Sequence, residues 1–378
     1  MSGLFSALQT TAQALRVLDR SIATTQNNVN NLQTSGYAKQ QSATAALPFN
    51  LMTGLPGGVV GLGDVSSRSH IAELGVRGSL SDAGAAKAHS MMLGMLEGVL
   101  PPDATKGLGG ALSALWDSFS SWSAAPSSMT ARDAVMAAAE GFAASLNQVA
   151  GQAGDIRRST DQLAESSVTA INAITQRIAQ LNARIEHSGT DAGLDANLHA
   201  ALEELSAEVG VAVVWNQDGT ATVLMGGQAP LVDGTGSHEL RITATPQGAN
   251  APPKLSITAE NGEDLTHLAV SGTLGGLVDF RIGALATFEG DGTQPGSLNR
   301  LAASVADRVN QLLTSGFSTL DPVPVGGIPL FEYASLPNAA LSMPVSSAAP
   351  ISGLAAMPQG PPVSAHGIAL PLAGLRDS

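Results

Sequence analysis

The first 32 residues place an apolar or threonine side chain at alternating steps of four and three residues. These positions are Leu4, Leu8, Thr11, Leu15, Leu18, Ile22, Thr25, Val29 and Leu32. A period of 3.5 residues keeps one line of side chains facing a partner helix, which is the signature of a coiled coil. The remaining side chains are mostly Gln, Asn, Ser and Thr, so the helix would be weak without packing. The pattern predicts an N-terminal coiled-coil helix over residues 1–36, with an ordinary amphipathic helix as the alternative.

A second long helix is predicted over residues 130–187. Thr130 is the expected N-cap, and Asp133 follows three residues later in a variant of the capping box. The four–three spacing then runs from Val135 to Ile185 with one slip and no proline. Glycines inside this stretch leave open a bend or a break into two helices. Such a helix far exceeds the usual length of about 10–14 residues and is more typical of bundles and filaments than of compact enzymes.

The rest of the chain alternates between shorter helical patterns and strand patterns. Helices are predicted at 81–100, 111–122, 195–208, 276–288 and 298–313. Strands are predicted at 42–47, 59–65, 211–215, 220–225, 239–245, 254–259 and 265–270, with a hairpin turn at 217–219. Ten of the chain's twenty prolines lie in 321–378, which excludes a long helix there and favours extended strands and loops or partial disorder.

These patterns predict a mainly α chain with an inserted β domain. The expected parts are a coiled-coil helix (1–36), a helical rod domain with a short glycine-rich strand region (37–208), a small β domain (209–274), returning helices (275–318) and a Pro-rich extended segment (319–378). The division follows changes in hydrophobic period, from about 3.5 in the helices to 2 in the strands.

Composition excludes several classes of function. The chain has no cysteine, which rules out disulfides, thiolate metal sites and a thiol nucleophile. A net charge of −13 argues against nucleic-acid binding. The sequence contains no run of 18 uncharged apolar residues, so no membrane span is predicted. The start of the chain lacks the features of a cleavable signal peptide. Seven scattered histidines are interpreted as surface or satisfied core residues, and no catalytic, cofactor or metal motif appears.

Residues 24–37 read TTQNNVNNLQTSGY. This segment resembles the N-terminal signature of bacterial flagellar rod, hook and hook-associated proteins. Its amide side chains can bond to neighbouring subunits where a charge would repel its symmetry copies, and Gly36 in a left-handed conformation can turn the chain out of the helix. The expected assembly residues are Leu4, Leu8, Leu15, Leu18, Ile22, Asn27, Asn28, Val29, Asn31, Leu32, Gly36 and Tyr37.

Four further segments are similar to the flagellar hook-associated protein 1 family, the hook–filament junction proteins. They are 61–77, 118–186, 202–234 and 275–316. The resemblance implies an elongated, multi-domain axial protein with long coiled-coil-like helices. It also implies a structural, non-enzymatic subunit that forms the hook–filament junction ring and is needed for filament assembly.

The resemblance further implies partners and a location. The partners are copies of the chain itself, the hook protein, a second junction protein on the filament side, and a flagellar export chaperone that binds the C-terminal region. The implied location is the flagellum outside the cell, reached by type III export without cleavage of a signal peptide. Two alternatives stay open: another axial protein of the hook or distal rod, and a secreted adhesin-like protein.

The chain also departs from the family pattern. His70-Ile71 replaces an aromatic–acidic pair, and the segment 194–199 replaces a run of charged residues. Family members continue past a stretch like 367–370 into a C-terminal helical hairpin that pairs with the N-terminal helix, whereas this chain stops at Ser378. We therefore expect this form to lack the chaperone site and the partner of its N-terminal seam, and not to build a ring.

Overall fold

The structure is a computed structural model that describes residues 2–34, 36–50, 55–101, 103, 105–189, 191–248, 251–319, 325–347, 353–358 and 367–377. Helices dominate it. They are α1 (Ser2–Asn30), α2 (His70–Val99), α3 (Gly107–Ala124), α4 (Met129–Ser188), α5 (Ala192–Glu208), α6 (Gly272–Ile282), α7 (Ala284–Glu289), α8 (Ser297–Thr314), α9 (Ala339–Ser342) and α10 (Ala369–Ala373). Not one of these described helices is long and apolar enough to cross a membrane.

The strands form small separate sheets. They are β1 (Gln40–Ala46), β2 (Phe49–Asn50), β3 (Leu55–Pro56), β4 (Val59–Ser66), β5 (Val211–Trp215), β6 (Ala221–Met225), β7 (Ala229–Asp233), β8 (Gly236–Ser237), β9 (Leu240–Thr245), β10 (Lys254–Ala259), β11 (Gly316–Thr319), β12 (Val325–Gly326) and β13 (Met357–Pro358). β1 pairs with β4, β2 with β3, β9 with β10, and β11 with both β12 and β13. β5 to β8 form a four-stranded antiparallel sheet in sequential order. The predicted fold class, mainly α with an inserted β region, is confirmed.

The chain folds into two compact units. Unit 1 comprises Met1–Ala86, Ser167–Arg241 and Ala259–Gly275, and unit 2 comprises Lys87–Ser166, Ile242–Thr258 and Gly276–Ser378. Both units are discontinuous in sequence, because five elements each include residues of both units: α2, α4, β9, β10 and α6. The five-part division of the sequence stays a prediction.

In unit 1 the end of α4 packs on the four-stranded sheet through Asn182. This side chain is fully buried. Its Nδ2 donates to the carbonyl oxygens of Ala221 at 2.8 Å and Gly234 at 2.7 Å, and its Oδ1 accepts from the Ala221 N–H at 3.0 Å. Because both amide hydrogens and the amide oxygen are used, one residue fixes β6 and the β7–β8 turn to the helix.

The core of unit 2 lies between α3, the first part of α4 and α8. Its largest fully buried side chains include Trp122, Phe119, Phe142 and Phe331, and the rings of Phe142 and Phe331 meet edge to face at 5.9 Å. Phe331 comes from the Pro-rich region 321–378. The described parts of that region form β12, β13 and two short helices, α9 and α10, that pack on α8 and α3. These helices were not predicted from the sequence.

Several helix boundaries differ from the prediction. α1 ends at Asn30 rather than near residue 35, and α2 begins at His70 rather than at residue 81. α4 begins at Met129, and the hydroxyl of Ser128 accepts from the Ala131 N–H at 3.3 Å, so the prediction of Thr130 as N-cap is wrong. α4 continues unbroken through all its glycines, because no proline removes a helical hydrogen bond.

Two predictions of regular structure are also wrong. Residues 265–270 do not form a strand: Thr266–Leu268 is a 3₁₀ turn in which the Asp264 carboxylate accepts from the Thr266 N–H at 3.0 Å. The short polar side chain satisfies the backbone locally and competes with strand pairing. The helix predicted over 276–288 is two helices that meet at Gly283. The hairpin of β5 and β6 is confirmed.

Candidate assembly surface

One face of α1 packs on the hairpin of β1 and β4. Gly61 of β4 faces this helix, and a Cβ placed on it would make an ordinary van der Waals contact with Val17 at 3.7 Å. The buried Thr24 donates its hydroxyl proton to Asp64 at 3.1 Å, and Arg20 contacts the same carboxylate at 3.3 Å. This contact face is therefore small and polar rather than apolar.

The opposite face of α1 carries the apolar residues of the predicted coiled-coil seam. We call this set the apolar seam; its members are Leu8, Leu15, Leu18, Ile22 and Val29, and every one is exposed within the described chain. Phe5 is exposed beside them. Leu32 is exposed too, but it lies in the turn after the helix. The backbone of Leu4 belongs to α1, whereas its side chain lies outside the described residues. A helix that docks through polar contacts and leaves its large apolar side chains exposed is suited to association.

The asparagines that end α1 hold the following turn. Asn28 is half-buried, and its Nδ2 donates to the Gln40 carbonyl while its Oδ1 accepts from the Gln40 N–H, both at 2.8 Å. The same Oδ1 accepts the hydroxyl proton of Tyr37 at 2.9 Å. Asn28 thus pairs with β1 as a neighbouring strand would, and joins the helix to the sheet. All of these bonds lie within the chain. That this amide bonds to a neighbouring subunit stays a prediction.

Two further asparagines of the signature, Asn27 and Asn31, act on the helix end. The Nδ2 of Asn31 donates to the backbone oxygen of Asn27 at 3.0 Å and to its side-chain oxygen at 2.8 Å. The hydroxyl of Thr34 donates to the Oδ1 of Asn31 at 3.2 Å. Asn27 is exposed and Asn31 is half-buried. These short-range bonds fix the side chains at the helix end, where the backbone N–H of Asn31 also donates to the Asn27 carbonyl at 3.1 Å.

Gly36 has the left-handed conformation that the sequence predicts, with φ of +72°. It is not the residue that ends α1, because the helix stops six residues earlier. A Cβ at this position would lie 2.3 Å from the carbonyl oxygen of Ala196 and 3.0 Å from the Cβ of Ala200, both in α5. Glycine is therefore required twice here, for its backbone conformation and for its close approach to α5.

A buried group of charged residues lies beside Gly36. We call it the ion cluster; its members are Arg68, Glu73, Arg77, Asp195 and His199. Arg68 donates to the carbonyl oxygen of Gly36 and contacts Glu73 at 2.6 Å and Asp195 at 3.5 Å. The two nitrogens of His199 face Glu73 at 3.4 Å and Asp195 at 3.6 Å. One guanidinium thus connects the turn, α2 and α5.

The ion cluster shifts the pKa values of its members. Burial opposes ionisation of Glu73, but the hydrogen bond and charge of Arg68, together with the charges of His199 and Arg77, hold the pKa of Glu73 below its ordinary value. Burial and the charge of Arg68 lower the pKa of His199, against the attraction of Asp195 and Glu73. Burial also lowers the pKa of Arg77. Sequence reasoning did not find this cluster; the four-residue spacings 73–77 and 195–199 are its only local signal.

The two places where the sequence departs from the family pattern meet around Trp215. The imidazole of His199 stacks on the indole of Trp215 with ring centres 4.9 Å apart. His70 contacts the same indole edge-on at 6.1 Å. His199 is a buried core residue, as the interpretation of the histidines allowed. The residues at 70 and 194–199 therefore belong to one packing site.

A cleft of about 670 Å³ opens beside the turn, between the end of α1 and β1. Its lining includes the exposed Val29 and Leu32 as well as Asn28 and Tyr37. The apolar seam and the asparagine-rich turn border this cleft together, so a segment packed against the end of the seam would meet both. No group of three or more acidic or histidine side chains within the described ranges is arranged to hold a metal ion.

An exposed coiled-coil helix, joined to a helical body with an inserted sheet, is the architecture of a protein that associates through its helices. A family model described as the helical domain of the flagellar hook-associated protein FlgK matches residues 93–330, which is well over half of the chain. The chain therefore belongs to the FlgK family of flagellar hook-associated proteins.

Individual relatives agree with this assignment. Flagellar hook-associated protein 1 of Salmonella typhimurium is 26% identical over 316 residues, which cover 80% of this chain and 55% of that protein. The protein of the same description in Bacillus subtilis is 25% identical over 232 residues, which cover 58% and 46%. The solved structure of the flagellar hook junction protein FlgK from Burkholderia pseudomallei aligns with a TM-score of 0.60 at 25% identity, covering 69% of this chain and 46% of that chain. The chain spans about half the length of the curated relatives it matches.

Proposed function

We propose that this chain is a structural subunit of the bacterial flagellum that acts at the junction between hook and filament. Membership of the FlgK family supports the flagellar role, and its relatives carry the description of hook-associated and hook junction proteins. The observation that carries the proposal is the apolar seam of α1. A soluble chain that keeps five large apolar side chains of one helix exposed needs another helix to cover them.

The proposed role is mechanical rather than catalytic. The subunit associates with copies of itself, with the hook protein below and with a second junction protein above. Contacts to three different neighbours suit α1, which carries only three charged residues, since repeated like charges would repel each other in a ring. Export outside the cell without a cleavable signal peptide completes the proposal.

The apolar seam is the part of the proposal that mutation can address directly. A gene deletion is complemented with the intact gene, with a version carrying Leu15→Ser and Leu18→Ser, and with a version carrying Leu341→Ser. Leu341 is a matched control because its side chain is as exposed as that of Leu15 (52% against 56%) but lies in α9 of unit 2. Since these side chains are exposed, each substitution should change folding stability by less than about 0.5 kcal/mol.

The readout is the number of filaments on cells and the amount of unassembled flagellin in the medium. We expect the deletion to give hooks without filaments and shed flagellin, the intact gene and Leu341→Ser to restore filaments, and the seam variant to fail. Normal filaments in the deletion strain would remove the junction role. Full rescue by the seam variant would be compatible with the junction role but would show that this role does not depend on the apolar seam.

A further inference from the structure

A short turn follows β10 and contains Asn261, the one asparagine of the sequence that is followed by glycine. The Gly262 N–H donates to the Ala259 carbonyl oxygen at 2.9 Å, and the Ala259 N–H donates to the Glu263 carbonyl oxygen at 2.9 Å. Gly262 has a positive φ of +85°. These bonds and this conformation are those of a three-residue loop with a left-handed glycine. Asn261 stands directly before that glycine and is exposed.

The amide side chain of Asn261 lies next to an atom that can attack it. The backbone nitrogen of Gly262 can close a five-membered ring on the side-chain Cγ, because the two atoms belong to adjoining parts of one short chain. Glycine favours this ring closure, since it has no Cβ to crowd its nitrogen or to restrict its backbone. A Cβ placed on Gly262 would meet no atom of the described chain within 4 Å, so no described neighbour packs on this side of the turn.

The turn also polarises the amide carbonyl that would be attacked. The Oδ1 of Asn261 accepts a hydrogen bond from the Glu263 N–H at 3.0 Å. Negative charge develops on this oxygen when a nitrogen adds to Cγ, and a backbone N–H aimed at such an oxygen stabilises the charge. The loop that presents the electrophilic carbon therefore also supplies a donor for the intermediate.

The hydrogen bond of Gly262 acts in the opposite direction. While the Gly262 N–H is bound to the Ala259 carbonyl, its nitrogen is not available for attack. Residues 261–263 are exposed and Ala259 is half-buried, so this bond lies at the surface. Backbone bonds in such positions open locally without unfolding of the core. The rate of attack is therefore set by how often the turn opens.

Three other steps of the sequence place glycine after aspartate: 218–219, 233–234 and 291–292. An ionised carboxylate is a poor target for a nucleophile, because its carbon is shielded by the negative charge of its oxygens. Hydrogen bonds from Thr220 lower the pKa of Asp218, and hydrogen bonds from Gln294 and Thr293 lower the pKa of Asp291. These carboxylates stay ionised near neutral pH, whereas the amide of the asparagine is neutral and open to attack.

We propose that Asn261 is a site of spontaneous deamidation, gated by the opening of its turn. The Gly262 nitrogen forms a bond to Cγ, the bond from Cγ to the side-chain nitrogen breaks, and that nitrogen leaves as ammonia with the proton of the glycine. Water then adds to either carbonyl of the resulting succinimide ring and leaves an aspartate or an isoaspartate at position 261. Water is the only co-reactant. The reaction is a property of the chain itself and does not depend on the proposed junction role.

The two products differ in their effect on the turn. The aspartate keeps a side-chain oxygen that can accept from the Glu263 N–H, so the turn can form again. The isoaspartate brings its Cβ into the backbone, which lengthens the loop by one carbon. The bonds of Ala259 with Gly262 and Glu263 then no longer match in register, so the end of β10 should loosen in this product alone.

The test is storage of the full chain in mildly alkaline buffer, with and without guanidinium chloride, followed by mass spectrometry of each peptide that contains asparagine. Asn216 is the internal control, because it is exposed beside the β5–β6 turn of unit 1 but is followed by glutamine. We expect Asn261 to convert first. Its conversion should be about tenfold faster in guanidinium chloride, the factor that corresponds to about 1.4 kcal/mol of hydrogen bonding in the closed turn. Conversion no faster than that of Asn216, or equally fast with and without denaturant, would overturn the proposal.

Two variants identify the reacting groups. Asn261→Gln keeps an exposed amide but needs a larger ring, so conversion at this position should be lost. In guanidinium chloride, where the turn has no influence, Gly262→Ala should slow conversion by about tenfold, or about 1.4 kcal/mol in the barrier, because the methyl group crowds the attacking nitrogen. Conversion that persists in Asn261→Gln, or an unchanged rate in Gly262→Ala, would contradict ring closure.

Hydrogen exchange of the Ala259 amide tests the effect on the turn, after the two products have been separated by chromatography. The isoaspartate form should lose protection at this amide, whereas the Asn261→Asp variant should keep the protection of the unaged chain. Equal protection in the isoaspartate form and in Asn261→Asp would overturn the inferred loosening of β10.

Discussion

Replacing Gly36 with alanine separates two reasons for which a glycine is needed at the turn. The backbone φ of +72° is unfavourable for any L-residue with a Cβ, by roughly 1–2 kcal/mol. The added methyl group would also lie 2.3 Å from the carbonyl oxygen of Ala196, a backbone atom in the middle of a helix that cannot move aside alone. Overpacking of this kind typically costs about 1–3 kcal/mol.

Gly189 is a matched control for the backbone term. It lies in unit 1 at the end of α4, has φ of +77°, and has no atom within 4 Å of an added Cβ. Gly189→Ala should therefore lower the free energy of unfolding by about 1 kcal/mol, partly offset because alanine restricts the unfolded chain. Gly36→Ala should lower it by about 2–4 kcal/mol in all, so the difference between the variants measures the contact with α5.

The assay follows unit 1 by itself. Hydrogen exchange in increasing urea, read by mass spectrometry on peptides from α5 and the β5–β8 sheet, gives the midpoint for that unit whether or not unit 2 unfolds with it. Equal losses for Gly36→Ala and Gly189→Ala would refute the claim that the close approach to Ala196 matters. A larger loss for Gly189→Ala would refute the assignment of the turn to the core of unit 1.

Two further substitutions test the asparagines that join elements. Asn28→Ala leaves both backbone groups of Gln40 without their partner and should weaken the docking of β1 on α1 by about 1–3 kcal/mol. The Gln40 amide should then exchange faster. Asn27→Ala, at an exposed position, should not change the exchange rate of that amide. Asn182→Ala removes three hydrogen bonds from a fully buried site and should lower the free energy of unfolding of unit 1 by about 3 kcal/mol or more. Asn172→Ala removes two hydrogen bonds at a half-buried position and should lower the free energy of unfolding by less. A larger loss for Asn172→Ala than for Asn182→Ala would contradict this count of buried hydrogen bonds.

The elements that sequence predicts best are those whose signal is local and repeated. The long helix α4 and the β5–β6 hairpin follow from a period that continues over many residues or from a turn of fixed composition. Predicted boundaries are wrong where a single side chain determines how an element begins or whether it forms. Ser128 rather than Thr130 supplies the hydroxyl at the start of α4, and Asp264 turns a strand-like run into a 3₁₀ turn.

The ion cluster could not be predicted in this way. Its members come from residues 68–77 and 195–199, which are more than a hundred residues apart, and nothing in either segment indicates the other. The asparagine motif predicted a turn after α1 and bonds between subunits; α1 ends at Asn30, earlier than predicted, and the bonds between subunits stay a prediction. Within the chain, Asn28 joins α1 to its own hairpin, because the amide matches both backbone groups of Gln40.

The two faces of α1 explain why this helix can be both firmly attached and available. A helix normally docks on its own domain through its apolar side, since that burial supplies most of its stability. Here the attachment relies on polar side chains of the helix, Thr24, Arg20 and Asn28, which bond to Asp64 and Gln40 of the hairpin. These polar contacts are directional, so they fix the rotation of the helix about its axis. The apolar seam is thereby aimed away from the hairpin and stays exposed, where another helix can reach it.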